Sequence, residues 1–236
     1  KRKDMQAVAQ LGWCYLKGLG VEESGRMALK LFRRAAKAGV ADARYGLGVC
    51  YLNGRGGLKK SDRNKKRAME CFLLAAKQCH VPAQMAYARH LCKHGTFEEC
   101  QEGVSWFRAA VSLGSVVAEY ELAEVYLYGR SDILRDEVEG YRLLHHAANM
   151  GYAPAVRAMG YKYSISGLVP HNSYEKRRWL RLAAEMGDKD AQCDLAMEYD
   201  GWMDGLALKW FRAAARQGDR YAKSRIKTVL RRMRGG

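Results

Sequence analysis

The fold of this chain follows from Leu11-Gly12-Trp13-Cys14-Tyr15-Leu16-Lys17-Gly18-Leu19-Gly20, a stretch completed by Ala35-Ala36 and Gly39. It recurs in degenerate form, with a small residue followed at +4, +5, +8 and +11 by a large apolar residue, Gly or Ala, usually Tyr, and a turn residue. Six such units start at Ala7, Ala43, Ala83, Ala118, Ala155 and Ala191, and a seventh start at Ala222 lacks a second half. This repetition indicates stacked helical hairpins, each of which buries its apolar face against its neighbours.

Each unit continues into a second predicted helix that ends in a pair of small residues. The pairs are Ala35-Ala36, Ala75-Ala76, Ala109-Ala110, Ala147-Ala148, Ala183-Ala184 and Ala213-Ala214. A large residue three or four positions earlier is expected on the same helix face: Phe32, Phe72, Trp106, Leu144, Trp179 and Trp210. From the first Ala of each pair to the next start the intervals are 8, 8, 9, 8, 8 and 9 residues, so packing is expected to set this link.

Cap residues mark the ends of the predicted helices. Glycine follows the pair by four or five residues, where a left-handed helix C-cap favours it, at Gly39, Gly114, Gly151, Gly187 and Gly218. We expect N-caps for the following helices at Asp42, Asp190 and Asp219.

Composition supports an ordered all-α protein and bears on its surroundings. Of 236 residues, 48% are hydrophobic and only 3 are Pro, and no apolar run is long enough to span a membrane. The net charge of +16 favours anionic partners. Seven cysteines, an odd number, indicate reduced thiols in an intracellular compartment, cytoplasmic or mitochondrial. Because the chain starts at Lys1, we expect a fragment or a processed form.

The pattern Ala-x3-Leu-Gly-x2-Tyr-x2-Gly-x-Gly-Val, then Ala-x6-Ala-Ala-x2-Gly, resembles the Sel-1-like repeat, a relative of the tetratricopeptide repeat. Residues 7–39 fit it almost letter for letter, whereas Ala88, Cys79 and a shortened sixth unit depart from it. The resemblance implies a right-handed α-solenoid scaffold that holds other proteins together and has no enzymatic activity or cofactor of its own. Residues 1–236 would form one repeat domain, with units at about 5–40, 41–80, 81–115, 116–152, 153–188 and 189–219 and a capping helix at 220–234.

Candidate chemical sites are weak. Glycine-rich loops such as Gly18-Leu19-Gly20 follow a helix, whereas a nucleotide loop follows a strand and opens a helix. His90 and His94 have the spacing of two zinc ligands but no second ligand pair, so we expect no metal. A bridge between Cys92 and Cys100 is left open. We find no catalytic set and predict no enzyme.

Two candidate binding surfaces remain. In the tetratricopeptide relatives, first-helix residues line a concave groove, and the same positions here carry aromatic and charged residues typical of interfaces. They are Trp13, Tyr45, Arg89, Tyr120, Glu124, Tyr128, Arg157 and Tyr161; Trp13 is also a candidate for packing between units. The basic candidates for an anionic partner, RNA or an acidic protein surface, are Lys65, Lys66, Arg67, Arg216, Arg220, Lys223, Arg225, Arg231 and Arg232.

Most of these basic candidates lie in the C-terminal segment. Residues 206–236 carry ten Lys or Arg and only one acidic residue, Asp219. We therefore predict a scaffold or adaptor for protein–protein interactions, a subunit or assembly factor of a larger complex. The alternative is a ribonucleoprotein component, for example of an organellar ribosome, that contacts RNA backbone. A third possibility is a repeat domain cut from a larger enzyme. No small-molecule substrate is expected.

Overall fold

The computed structural model describes residues 2–129, 135–163 and 172–235, and over these ranges the chain is all-α, without a strand. The helices are α1 (Arg2–Lys17), α2 (Gly25–Lys37), α3 (Ala41–Asn53), α4 (Asp62–Ala76), α5 (Val81–His94), α6 (Phe97–Ser112), α7 (Val116–Tyr128), α8 (Glu137–Asn149), α9 (Ala153–Lys162), α10 (Ser173–Glu185), α11 (Lys189–Tyr199), α12 (Asp204–Arg216) and α13 (Arg220–Gly235). A short 3-10 turn at Arg55–Gly57 follows α3. The prediction of an all-α chain of helical hairpins is confirmed.

The helices form two compact units. Among the described residues, the first unit contains 2–118 and 129, and the second contains 119–128, 135–163 and 172–235. In the first unit each helix from α1 to α6 packs against the next, and in the second the same holds from α8 to α13. Sequential antiparallel packing of this kind is the arrangement of helical repeats. The organisation of residues 1–236 as one domain stays a prediction.

The second helices bury one large side chain and one alanine three residues later. The large residues, each 1% exposed or less, are Phe32, Phe72, Phe107, Leu144, Leu180 and Phe211. The alanines, all at 0%, are Ala35, Ala75, Ala110, Ala147, Ala183 and Ala214. The expected core residue is therefore wrong in α6 and α10, where Trp106 and Trp179 are only partly buried and precede the innermost side chain by one position. In α12 the expected Trp210 is buried, at 8% exposure, beside the fully buried Phe211. Neighbouring residues on a helix differ by about 100° in direction, so of two adjacent large residues one faces the core more directly than the other.

Counted from the buried alanine, every link to the next unit's start spans eight residues. The two intervals of nine arise because Ala109 and Ala213 precede the buried alanine by one position. Hydrogen bonds explain the constancy. At the first link, Val40 N–H donates to the Ala35 carbonyl and Gly39 N–H donates to the Ala36 carbonyl, at 3.2 and 3.0 Å. This pair of bonds is the Schellman C-cap, and it recurs at all six links.

The last residue of each Schellman motif is also the N-cap of the next helix, and the next start lies three residues further on. The C-cap motif of one helix and the N-cap of the next helix thus share one residue. No residue can be inserted between them without breaking one of the two caps. Two expected N-caps are wrong for this reason: Val40 and Asp188 hold the N-cap positions, and Asp42 and Asp190 lie in the first turn. Asp219 is confirmed, because its Oδ1 accepts from Ala222 N–H at 2.7 Å.

The C-cap glycines are confirmed, with φ between +78° and +90° at Gly39, Gly114, Gly151, Gly187 and Gly218. The second link has Cys79 at the same position, with φ +57°, a left-handed conformation that costs an L-residue about 1–2 kcal/mol. Cys79, which departs from the repeat pattern, is therefore held in a backbone conformation that favours glycine.

Close approach explains the glycine at +5 of the first helices. A Cβ placed on Gly48 would lie 2.4 Å from Cε1 of Phe72, and one on Gly12 would lie 2.7 Å from Cε1 of Phe32. At these two positions a side chain as small as that of alanine would overlap the aromatic ring of the unit's own second helix.

Candidate protein-interaction surfaces

Trp13 and Tyr45, two predicted groove residues of the first unit, pack between repeats. The Trp13 ring lies 5.0 Å from Phe32, edge-on, and 5.7 Å from Tyr45. Tyr45 continues the row, with ring centroids 5.6 Å from Phe72 and 5.1 Å from His80. The row joins residues of α1 to α4 and the N-cap of α5, so these two side chains hold successive hairpins in register.

A partly buried polar bridge runs beside this aromatic row. Trp13 Nε1 donates to Asp42 Oδ2 at 2.8 Å, and His80 Nε2 lies 3.5 Å from Asp42 Oδ1. The hydrogen bond from His80 is the main cause that lowers the pKa of the Asp42 carboxyl, against its partial burial, and the bond from Trp13 adds to it. The sequence predicts Asp42 as a helix cap and does not reveal this bridge, because its partners are 29 and 38 residues away. The third groove residue of the unit, Arg89, is exposed on α5.

In the second unit, α7 and α9 bring the remaining predicted groove residues to one face, which we call the α7–α9 face: Tyr120, Glu124, Tyr128, Arg157 and Tyr161. The Tyr120 ring is half-buried, 5.4 Å from Tyr152, and burial raises the pKa of Tyr120 to about 12. Tyr128 is 55% exposed, and the Lys162 ammonium lies 4.4 Å above its ring centroid. Such a cation–π contact orients the exposed ring.

Charges alternate across the α7–α9 face. Burial raises the pKa of the Glu124 carboxyl, while the positive charges of Lys162 and Arg157 act to lower it. Arg157 reaches the next hairpin, with Nε 3.5 Å from Asp188 Oδ1 and Nη1 3.3 Å from Asp190 Oδ2.

Tyr161 extends the same network onto α11. Its hydroxyl donates to an Asp194 carboxylate oxygen, and burial is the main cause that raises the pKa of both groups. The sequence predicted the residues on α7 and α9 from their repeat positions. Sequence positions alone did not reveal their partners, which are Tyr152, Lys162, Asp188, Asp190 and Asp194. The spacing between the starts of successive units could have placed the three aspartates at or near the first helix of the next unit.

The basic residues of the first unit lie on α4. Lys65, Lys66 and Arg67 are exposed; Lys65 Nζ contacts Asp62 Oδ1 at 3.2 Å, and the Arg67 guanidinium lies 5.9 Å from the Tyr51 ring. Lys65 and Lys66 also line a shallow depression of about 520 Å³, together with residues of α5 such as Tyr87 and His90.

The basic residues of the C-terminal segment divide into two groups. Arg216, Arg220, Lys223 and Arg231 are exposed. Arg225 and Arg232 instead form ion pairs within the chain: Arg225 Nε donates to Asp200 Oδ2 at 3.1 Å, and Arg232 Nε donates to Asp204 Oδ2 at 2.7 Å.

These ion pairs join α13 to Asp200, the C-cap of α11, and to Asp204, the first residue of α12. Burial of Asp200 works against its charged form, but hydrogen bonds from Arg225 and Arg232 outweigh this and lower the pKa of the Asp200 carboxyl. The charge count over residues 206–236 missed the pairing, because both aspartates lie just outside that window. Arg225 and Arg232 are thus structural contacts of this chain.

The weaker candidate sites have ordinary environments. All seven cysteines are free thiols, and Cys92 Sγ lies 3.6 Å from the Cys100 carbonyl oxygen, which it faces as a hydrogen-bond donor. The His90 and His94 rings lie 5.2 Å apart, and no group of three or more metal-ligating side chains occurs within the described ranges. None of the helices described is both long and apolar enough to cross a membrane.

Solved structures share this fold. A Sel1 repeat protein from Oxalobacter formigenes is 23% identical, matches 90% of this chain and 86% of its own, and superposes with a TM-score of 0.74. A protective antigen of uropathogenic Escherichia coli strains, described as displaying an SLR fold, is 25% identical, with 97% of this chain and 49% of its own covered and a TM-score of 0.64. These neighbours identify the architecture as an α-solenoid.

Curated relatives include Chitin synthase regulatory factor 2 of Schizosaccharomyces pombe, 28% identical over 199 residues, which are 76% of this chain and 37% of the relative. Chitin synthase regulator SKT5 of Saccharomyces cerevisiae is 24% identical over 249 residues, 97% of this chain and 35% of the relative. The chain thus spans about a third of the length of these two regulators. Their descriptions give no support to the ribonucleoprotein alternative.

The family model for the Sel1 repeat matches residues 6–40, 41–78, 81–115, 116–152, 153–188 and 189–219. These six segments contain the six hairpins described above, and they carry an adaptor-type protein-interaction fold. The chain belongs to the Sel1 repeat family.

Proposed function

We propose that this chain is a non-enzymatic adaptor that binds a segment of a partner protein along the α7–α9 face. One observation carries the proposal: two tyrosines of α7 are held in place by neighbours and still offer ring surface to solvent. Tyr128 is 55% exposed beneath Lys162, and Tyr120 is half-buried against Tyr152. Aromatic side chains that are already ordered lose little conformational freedom on binding, which is why they anchor interfaces.

The charges beside these rings suggest the chemistry of the bound segment. Lys162 and Arg157 flank the half-buried Glu124, so the face carries both signs of charge at short range. A segment with an apolar anchor for the tyrosines and polar groups on both sides of it suits such a face, since opposite charges across an interface set register and specificity.

The named relatives support the part of the proposal that assigns the chain no catalysis of its own, because they are called regulators of another enzyme. The two solved neighbours show the shared fold.

The test is affinity purification from cells of the source organism with the chain as bait, at about 0.3 M salt to suppress nonspecific phosphate binding. Tyr128→Ala is the main variant, since an exposed ring can be removed without opening the core, and Tyr120→Ala/Tyr128→Ala is the stronger one. Tyr174→Ala is the matched control, because Tyr174 is 70% exposed on the second helix α10. We expect a discrete set of captured proteins that Tyr128→Ala weakens and Tyr174→Ala leaves intact.

Two results would overturn the proposal. If the wild type and the folded Tyr120→Ala/Tyr128→Ala variant captured the partner proteins equally, the α7–α9 face would not be the binding surface. Loss of the whole captured set after nuclease treatment would mean that RNA, and not this face, joins the chain to those proteins. Circular dichroism of each variant separates loss of binding from loss of helicity.

A further inference from the structure

Helix α13 presents three distinct faces. Ala222 and Val229 are at 0% exposure and pack against the rest of the second unit. Arg225 and Arg232 point to one side and pair with Asp200 and Asp204. The opposite side carries five exposed cations, which we call the α13 stripe: Arg220, Lys223, Lys227, Arg231 and Arg234.

The α13 stripe is straight. Its members follow one another at intervals of three or four residues, and at 3.6 residues per turn they all lie within a sector of about 80°. No carboxylate pairs with any of the five among the residues described here. The one acidic residue close in sequence, Asp219, accepts the N-cap hydrogen bond of α13. Five like charges are therefore displayed along one line without local compensation.

A further repeat hairpin would not cover this stripe. Lys227 occupies the +5 position after the start Ala222, and the six complete units have only glycine or alanine there: Gly12, Gly48, Ala88, Ala123, Gly160 and Ala196. At Gly48 even a Cβ atom would lie 2.4 Å from the packed Phe72 ring. A lysine at this position prevents a second helix from packing as closely on α13 as the second helices pack in the six complete units. The partner of the stripe is therefore not another repeat helix.

Apolar side chains border the stripe along one edge. Ile226 and Leu230 are partly buried and Met233 is 50% exposed, at spacings of i, i+4 and i+7. This edge distinguishes between anionic partners, because a phosphate backbone would leave the apolar row unused, whereas an amphipathic helix would cover it.

We propose that the α13 stripe binds an acidic amphipathic helix of a partner protein. Carboxylates that recur every three or four residues on a helix repeat every 4.5–6 Å, about the spacing of the cations along α13. The acidic row of the partner meets the stripe, and its adjacent apolar row meets Leu230 and Met233. This surface is separate from the α7–α9 face, so either can fail without the other.

The test uses the purified 236-residue chain and a labelled synthetic helix of about 18 residues, with Glu at the complementary positions and Leu beside them. Its control is a peptide of the same composition with the glutamates spread around the helix. The variant Arg220→Glu/Lys223→Glu/Lys227→Glu reverses part of the stripe. The matched variant Lys209→Glu/Arg212→Glu/Arg216→Glu makes the same change in net charge on exposed residues of α12.

We expect the stripe variant to weaken peptide binding at least about tenfold and the α12 variant to weaken it less than about threefold, in about 0.15 M salt. Met233→Ser should also weaken it, while the spread-charge peptide should bind poorly. If charge reversal disturbs folding, Gln substitutions at the same three positions replace it, and we expect them to give an intermediate loss of peptide binding.

Three outcomes would overturn the proposal. Equal losses in both triple variants would mean attraction to net charge alone. Equal binding of the two peptides would remove the spacing argument. Tighter binding of single-stranded RNA or of phosphatidylserine vesicles, lost in the stripe variant and unchanged by Met233→Ser, would assign the stripe to phosphate groups instead.

Discussion

Replacing Cys79 by glycine should stabilise the first unit by about 0.5–1 kcal/mol. Cys79 has φ +57°, where an L-residue pays about 1–2 kcal/mol relative to glycine. Glycine in turn loses more freedom on folding, which offsets about 0.4–1 kcal/mol of this gain. The Cys79 side chain is exposed, so its removal takes away no core packing. The net effect corresponds to a rise of about 1–4 °C in the melting temperature.

Urea denaturation followed by circular dichroism measures this change. Hydrogen exchange adds a local readout, because the amides of Cys79 and His80 donate to the carbonyls of Ala76 and Ala75 in the same C-cap. Their exchange should slow in Cys79→Gly.

Two controls separate backbone strain from side-chain effects. Cys79→Ala keeps a Cβ at positive φ and should give no gain. Gly39→Ala is the reverse change at the equivalent link, where φ is +84° and a new Cβ would meet no atom within 4 Å. It should destabilise by about 0.5–1 kcal/mol, because the same strain and the same difference in unfolded-state freedom enter with reversed sign. If Cys79→Gly and Cys79→Ala were equally stable, the left-handed conformation would not be the source of strain and the reasoning would be refuted.

The remaining predictions concern packing and charge. Gly48→Ala should destabilise by about 1–3 kcal/mol in urea unfolding, because its Cβ would lie 2.4 Å from the buried Phe72 ring; a second substitution, Phe72→Leu, should recover part of the loss. Ala110→Leu should lower stability by a similar amount and Ala109→Leu by less, since Ala110 is fully buried and Ala109 only partly; the reverse order of melting temperatures would contradict the register of α6. The pKa of Asp42 is lowered in the folded chain, so its carboxylate stabilises at neutral pH, and this contribution is lost as the pH falls through the folded-state pKa. The stability difference between wild type and Asp42→Asn should therefore shrink below about pH 4, which urea midpoints at several pH values would measure.

The limits of prediction are clearest in the second helices. The small pairs located all six of them, but in α6, α10 and α12 a tryptophan precedes the residue that is buried most deeply. Both neighbours are large and apolar, and helical periodicity alone does not rank two adjacent positions. The choice depends on which side chain fits between the first helices on either side. Once it is made, the eight-residue link is uniform.

The candidate surfaces show the same division. Repeat positions placed Tyr120 and Tyr128 on the α7–α9 face, and they left Trp13 open between the groove and packing between units. The folded chain assigned both Trp13 and Tyr45 to packing between hairpins. The distinction depends on neighbours about 30 residues away, one repeat along the chain, which sequence position does not reveal.

By itself, the sequence determined the helical class, the six repeats, the glycine C-caps and the excess of positive charge, because these depend on backbone preferences and composition that act locally. Tertiary structure alone decided which of two adjacent large residues is buried more deeply in α6, α10 and α12, and which cations of the C-terminal segment pair within the chain. Arg225 and Arg232 reach back 25 and 28 residues to Asp200 and Asp204, whereas the α13 stripe meets no such partner in the part of the chain described. Burial and ion pairing depend on what the fold brings together across that distance, and a residue's local sequence does not contain it.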